Sequence, residues 1–107
     1  LTARYLKYDW NTDSLDEWVT LEPPDVAIVE GVYVLQNRIR ARFDYKLWVQ
    51  CPRDVRLARG LARDGMAALS LWETDWMPEE DAYVSIQRPQ DCADRIVNGN
   101  ATRGSAT

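Results

Sequence analysis

The sequence predicts an α/β fold built on a parallel sheet, and three observations carry that prediction. Within residues 25–33, four continuous apolar residues, Val26-Ala27-Ile28-Val29, lead into Glu30 and Gly31; a strand, helix, strand order runs through residue 50; and a long amphipathic helix then begins at Pro52. Unbroken rather than alternating apolar character suits a strand covered on both faces, the usual condition inside a parallel sheet. At 107 residues, 46% hydrophobic and with five Trp, the chain has the apolar content for one domain and not for two.

Taken in order, residues 1–12 lack helical periodicity and read as an extended segment ending in a loop at Tyr8-Asp9-Trp10. Ser14 and Glu17 stand at capping-box spacing with Leu15, Trp18 and Val19 on one face, so a short helix is expected before Pro23-Pro24. The apolar run is the first buried strand, with Glu30 at its carboxyl end, where open α/β sheets place their ligands. Leu35, Ile39 and Phe43 recur at helical spacing among Gln, Asn and Arg, which predicts an amphipathic helix over residues 35–43. A second buried strand is expected over residues 45–50, completing a βαβ unit with a right-handed crossover.

Pro52 fits the first turn of a helix running to Asp64, with Gly65 beyond it. At about 100° per residue, Arg56, Arg59 and Arg63 fall within roughly a 60° arc, with Val55, Leu57, Ala58, Leu61 and Ala62 on the other side. Residues 66–87 read as further helix interrupted near Pro78, packed through Leu69, Trp72, Trp76 and Tyr83, and carrying Glu79-Glu80-Asp81. A short strand is expected over residues 94–97, closed by the Asn98-Gly99 turn, and residues 100–107 form a flexible polar tail. The tryptophans are assigned to packing.

Composition removes several classes of function. A net charge of −4 opposes nonspecific nucleic-acid binding, which needs a basic surface. No window approaches the ~18 apolar residues of a membrane span. Cys51 and Cys92 form neither a disulfide framework nor a metal cluster, and a cytoplasmic location is the expectation. With no histidine, Ser-His-Asp and Cys-His catalysis are excluded within the chain. Carboxylate and arginine chemistry remains. Three guanidinium groups on one stripe match the multi-oxygen geometry of phosphate. The plain alternative is a solvated face paired with the acids at residues 79–81. Tyr8 and Asp9 offer a stacking ring beside a hydrogen-bond acceptor, as a flat base or sugar hydroxyl needs.

The order of Tyr8-Asp9-Trp10, Val29-Glu30-Gly31, Leu47-Trp48-Val49, the segment Arg56-Leu57-Ala58-Arg59-Gly60-Leu61-Ala62-Arg63-Asp64, and Ala93-Asp94-Arg95-Ile96-Val97-Asn98-Gly99 resembles the second half of uridine kinase-like P-loop nucleoside kinases. The resemblance spans about residues 8–99, and the arginine segment is its most specific part. It implies the C-terminal portion of a P-loop kinase fold, with a lid over residues 53–87. It also implies Mg2+ and ATP as co-substrate, and a nucleoside as phosphoryl acceptor. By motif, Glu30 faces magnesium, Arg56, Arg59 and Arg63 belong to the phosphate lid, and Tyr8 with Asp9 lies near the nucleoside.

Two departures qualify what the resemblance implies. No G-x-x-x-x-G-K-[ST] occurs in the chain, so the loop that cradles ATP phosphates is missing from it, and a truncated half that is inactive alone is expected. After Asp64, Gly65-Met66-Ala67-Ala68-Leu69 stands where uridine kinases usually carry further lid arginines. The acceptor could therefore be another small alcohol such as pantothenate. A non-catalytic interaction domain that kept the half-fold is the reading from a different class.

Overall fold

The structure is a computed structural model that describes residues 3–100. Strands β1 (Ala3–Asp9) and β2 (Ser14–Leu21) form an antiparallel hairpin, with Tyr5 opposite Val19 and Asp9 opposite Ser14. The extended reading of the first residues therefore stands, and the helix expected after residue 13 is a strand. Glu17, Val19 and Leu21 alternate with Trp18 and Thr20, with a bulge at Asp16 before Leu15 pairs with Tyr8, and this two-residue period, once β1 offers a ladder, outweighs the cap spacing. Asp13 closes the turn at φ 51°, a left-handed conformation that Asp tolerates better than most residues.

Residues 25–31 form no strand. Val26, Ile28 and Val29 are 78%, 90% and 57% exposed, and they border a groove with Leu35, Phe43 and Leu47 without entering a ladder. An apolar run expresses a need for burial but does not by itself bond to a sheet edge, and the strand at residues 47–50 pairs with residues 95–98 on one side and with no residue of this run on the other. Glu30 accordingly lies in an exposed loop and not at a strand end. Over residues 35–43 the expected helix shrinks to turns and a single 3₁₀ turn at Arg40–Arg42. Its inward face persists, with Leu35 buried and Ile39 and Phe43 half-buried. Gln87 holds this segment: its side chain accepts the Asn37 amide at 2.7 Å, and its carbonyl accepts Arg40 at 3.0 Å.

The parallel sheet joins β3 (Leu47–Gln50) to β4 (Arg95–Asn98), so the crossover unit runs from β3 through the helices rather than from residue 30 to β3. Asp94 opens the pairing, accepting the Lys46 amide at 2.7 Å and donating its own amide to the Lys46 carbonyl at 2.8 Å. Leu47 and Val49 stay exposed, so β3 is not buried on both faces as expected.

Between these strands the chain is helical. Helix α1 (Arg53–Asp64) begins after Pro52 and ends at Gly65, whose φ of 89° only glycine adopts without strain. A 3₁₀ turn at Met66–Ala68, α2 (Leu69–Leu71) and a π turn at Trp72–Trp76 lead into α3 (Met77–Gln87). The Met77 amide bonds to the Trp72 carbonyl, five residues back, directly before Pro78. Pro78 has no N–H to keep the tighter pattern, so the turn widens and the helix continues instead of breaking. Arg88, left-handed at φ 51°, redirects the chain into α4 (Pro89–Cys92).

The core is small: Met77 and Pro89 are fully enclosed, and Leu35 and Tyr83 are buried beside them. The Tyr33 and Tyr83 rings meet edge to face at 5.0 Å. Packing through Leu69, Trp72 and Tyr83 is observed, but Trp76, assigned with them, is exposed, and so are Trp10 and Trp18, because a two-stranded hairpin has no second layer to cover them. Of the predicted tail over residues 100–107, Asn100 belongs to the turn, its amide donating to Asn98 Oδ1 at 2.9 Å, and residues 101–107 lie outside the described residues.

Candidate functional site

Site geometry starts with the punctuation of α1. Pro52 places the helix directly after β3, and Gly65 ends it, so the arginine stripe runs past the carboxyl ends of β3 and β4. There an open groove of about 430 Å³ is lined by Arg56, Arg59, Arg63, Cys51 after β3 and Gly99 after β4. Gly99 is required by close approach, since a Cβ there would lie 2.8 Å from Val49 Cγ1 and 3.2 Å from the Gln50 carbonyl oxygen. The Gly99 amide donates to that same carbonyl at 2.7 Å.

Each arginine is held differently. Arg56 pairs with Glu80 of α3 at 3.1 Å, so one of the acids at residues 79–81 does act as a salt-bridge partner. Arg59 donates to the Gly99 carbonyl at 2.8 Å and lies 3.7 Å from Cys51 Sγ. Arg63 grips Asp64 with two nitrogens, at 2.8 and 3.0 Å, and stands 5.9 Å from the centre of the Trp72 ring. Arg59 and Arg63 are exposed. Arg59, bonded to a carbonyl, carries no carboxylate partner in the hydrogen bonds that hold it, whereas Arg63 is paired with Asp64, and the Glu80 carboxylate also lines the groove.

The electrostatics follow these contacts. Burial pushes the Glu80 carboxyl up from its ordinary value, Arg56 opposes this, and Asp81 adds to it. The Asp64 carboxyl is held down chiefly by its hydrogen bond from Arg63, against some desolvation, with help from Trp72. Asp64 in turn raises Arg63.

The other predicted site residues do not line this groove. Tyr8 donates its hydroxyl to Asp13 and meets Trp10 edge to face at 4.8 Å, and the Asp13 contact raises the phenol pKa. Asp9 accepts the Asn11 amide at 2.8 Å, a turn-forming contact within the hairpin. Glu30 sits in an exposed loop and does not line the arginine groove, although Val32 and Tyr33 just beyond it border a neighbouring hollow with Arg63. Among the described residues, no three His, Cys, Asp or Glu converge as a metal cluster. A lone carboxylate nevertheless fits magnesium chemistry, because Mg2+ takes one or two protein carboxylates and fills its shell with phosphate oxygens and water.

Sequence reasoning missed Gly60, Trp72 and Gly99 as site builders. A Cβ on Gly60 would come within 2.5 Å of Trp72 Cζ2, and the Trp72 indole N–H donates to Asp64 at 3.0 Å. The available signal was Gly60 itself, since a glycine inside a helical pattern marks a close approach.

The parallel strand, helix, strand unit is an α/β module that sets three arginines at the carboxyl ends of its strands, where open α/β sheets place their ligands. The chain belongs to the phosphoribulokinase/uridine kinase family, whose model it matches over residues 2–102. It is 39% identical over 92 residues to a uridine kinase of Macrococcus caseolyticus, covering 82% of this chain and 42% of that protein. It is 38% identical over 79 residues to a uridine kinase of Bacillus subtilis, covering 69% of this chain and 34% of that protein. A uridine kinase of Clostridium botulinum is 46% identical over 50 residues, covering 46% of this chain and 24% of the relative. The chain thus spans less than half the length of these curated relatives. No solved structure matches it. Among the described residues, no helix is long and apolar enough to cross a membrane.

Proposed function

We propose that this chain supplies the C-terminal, arginine-bearing half of an ATP-dependent kinase that transfers a phosphoryl group to a nucleoside hydroxyl. The observation that carries the reading is the convergence of Arg56, Arg59 and Arg63 on one groove at the strand ends. Family membership and the uridine kinase names of the relatives support it.

Phosphoryl transfer asks little covalent chemistry of the protein and depends on positioning and charge neutralisation. Arg59 and Arg63 neutralise the transferring phosphoryl from the exposed part of the stripe. Arg56, anchored on Glu80, fixes α1 against α3 and orients the other two. Tyr8 and Asp9 present a ring and an acceptor to the nucleoside from the hairpin. Glu30 offers the hard oxygen that a nucleotide-bound magnesium takes, and that ion, when present, screens the phosphate oxygens.

The test is an assay of full-length protein with Mg-ATP and a panel of nucleosides and non-nucleoside alcohols, following ADP release. Nucleoside-dependent ADP release is expected. Release stimulated only by a non-nucleoside alcohol would redirect the acceptor assignment, and the absence of any acceptor-dependent release would contradict the kinase reading.

A further inference from the structure

The interior of α1 contains a closed set of contacts that the phosphate-binding role does not explain. Gly60 is buried under the Trp72 ring, with no room for a side chain between them. From that seat the Trp72 indole N–H donates to Asp64 Oδ2 at 3.0 Å. The same oxygen accepts Arg63 Nη2 at 3.0 Å, while Oδ1 accepts Arg63 Nε at 2.8 Å. Trp76 meets Trp72 edge to face at 5.1 Å, which limits the ring on another side. Asp64 and Arg63 are neighbours in sequence at the end of a helix, where a side-chain pair on its own is a weak, exposed interaction. The indole turns it into a fixed one, because the carboxylate has its position set by a ring wedged against the helix backbone.

We propose that Trp72 is the positioning residue of Arg63: seated on Gly60, it fixes Asp64, and Asp64 sets the plane in which the Arg63 guanidinium meets the groove. This rests on the kinase reading above, in which Arg63 meets phosphate. The role is preorganisation: a guanidinium already aimed spends no reorganisation when charge develops on the transferring group. The glycine and the tryptophan act as one unit, since neither can change size without displacing the other.

The test is a double-mutant cycle in the full-length kinase. Trp72→Phe deletes the N–H together with the Cε2, Cζ2 and Cη2 atoms that lie on Gly60, so Asp64 loses the contact that fixes it and kcat should fall roughly 3- to 10-fold. The KM for the nucleoside should stay within about 2-fold, because nothing in the acceptor-side hairpin changes. In an Arg63→Ala background the same Trp72→Phe change should cost nothing further. A parallel measurement on the 107-residue chain needs no turnover: the Arg63 Nε–H signal in a nitrogen-proton spectrum should lose its hydrogen-bonded shift and exchange faster in Trp72→Phe. Additive losses across the cycle, or an unchanged Arg63 signal, would overturn the positioning role while leaving the kinase reading intact. Wild-type turnover in Arg63→Ala would instead remove the kinase role of Arg63, and the positioning role with it.

Discussion

Arg59 donates to the carbonyl oxygen of Gly99 at 2.8 Å, tying the middle of α1 to the turn that ends β4. The contact spans forty residues of sequence. It explains how one exposed arginine keeps a defined place beside the sheet: a backbone carbonyl fixed by the Asn98-Gly99 turn holds it, and the turn is fixed by the Gly99 amide on Gln50. The arginine stripe is thus anchored at three points of different chemistry: a carboxylate on α3, a carbonyl after β4, and the carboxylate at its own helix end.

The Gly60 and Trp72 contact leads to a stability prediction. Alanine at residue 60 gains about 1 kcal/mol of helix propensity but places a Cβ against the Trp72 ring, and overpacking of this kind costs about 1–3 kcal/mol. A net loss is expected, read as a lower thermal midpoint for Gly60→Ala, together with a change in Trp72 emission. An unchanged or raised midpoint would mean that the ring yields freely.

Stability should depend on pH through two carboxylates of opposite sign. Burial raises the folded-state pKa of Glu80, so its contribution is fully present below the unfolded value and is lost as pH rises through the folded one. Asp64 is held low by Arg63, so its contribution is present above the unfolded value and is lost as pH falls through the folded one. In melts between about pH 3 and 7, Glu80→Gln should remove the loss on the alkaline side of the ordinary carboxylate range, and Asp64→Asn the loss on the acid side. Identical pH profiles for both variants and the parent would contradict these assignments.

Glu30 lies exposed in a loop, so its removal should leave the fold alone. In the full-length enzyme, Glu30→Gln should lower kcat and raise the magnesium concentration needed for half-maximal rate, because a charged hard ligand becomes a neutral one. A rate and magnesium dependence equal to those of the parent would assign Glu30 to the surface.

Helix α1 was legible in the sequence because strong punctuation bounds it, Pro52 before and Gly65 after, and because its arginines share one arc. The β4 strand was legible for the same kind of reason, the Asn98-Gly99 turn. Residues 14–21 were misread because Ser14 and Glu17 satisfy a helix cap while the same residues alternate correctly for a strand, and only the β1 ladder decides between them. Residues 25–31 were misread because apolar content reports what needs covering and not what pairs with it. The arginines were found as a set, but their partners, Gly99 and Trp72, come from distant or neighbouring turns that no local spacing joins.

The most direct test of the account is kcat for Arg59→Ala, Arg63→Ala and Arg38→Ala in full-length protein at saturating Mg-ATP and nucleoside, with thermal midpoints measured beside it. Arg38 is exposed, carries the same charge and lies outside the arginine groove. Losing one charge-stabilising donor at the transferring phosphoryl should cost Arg59→Ala and Arg63→Ala roughly 10²-fold or more in kcat, while Arg38→Ala stays near the parent. Near-parent turnover in all three, with at most about 1 kcal/mol of lost stability, is the behaviour of surface ion pairs and would contradict the assignment of this helix to phosphoryl transfer.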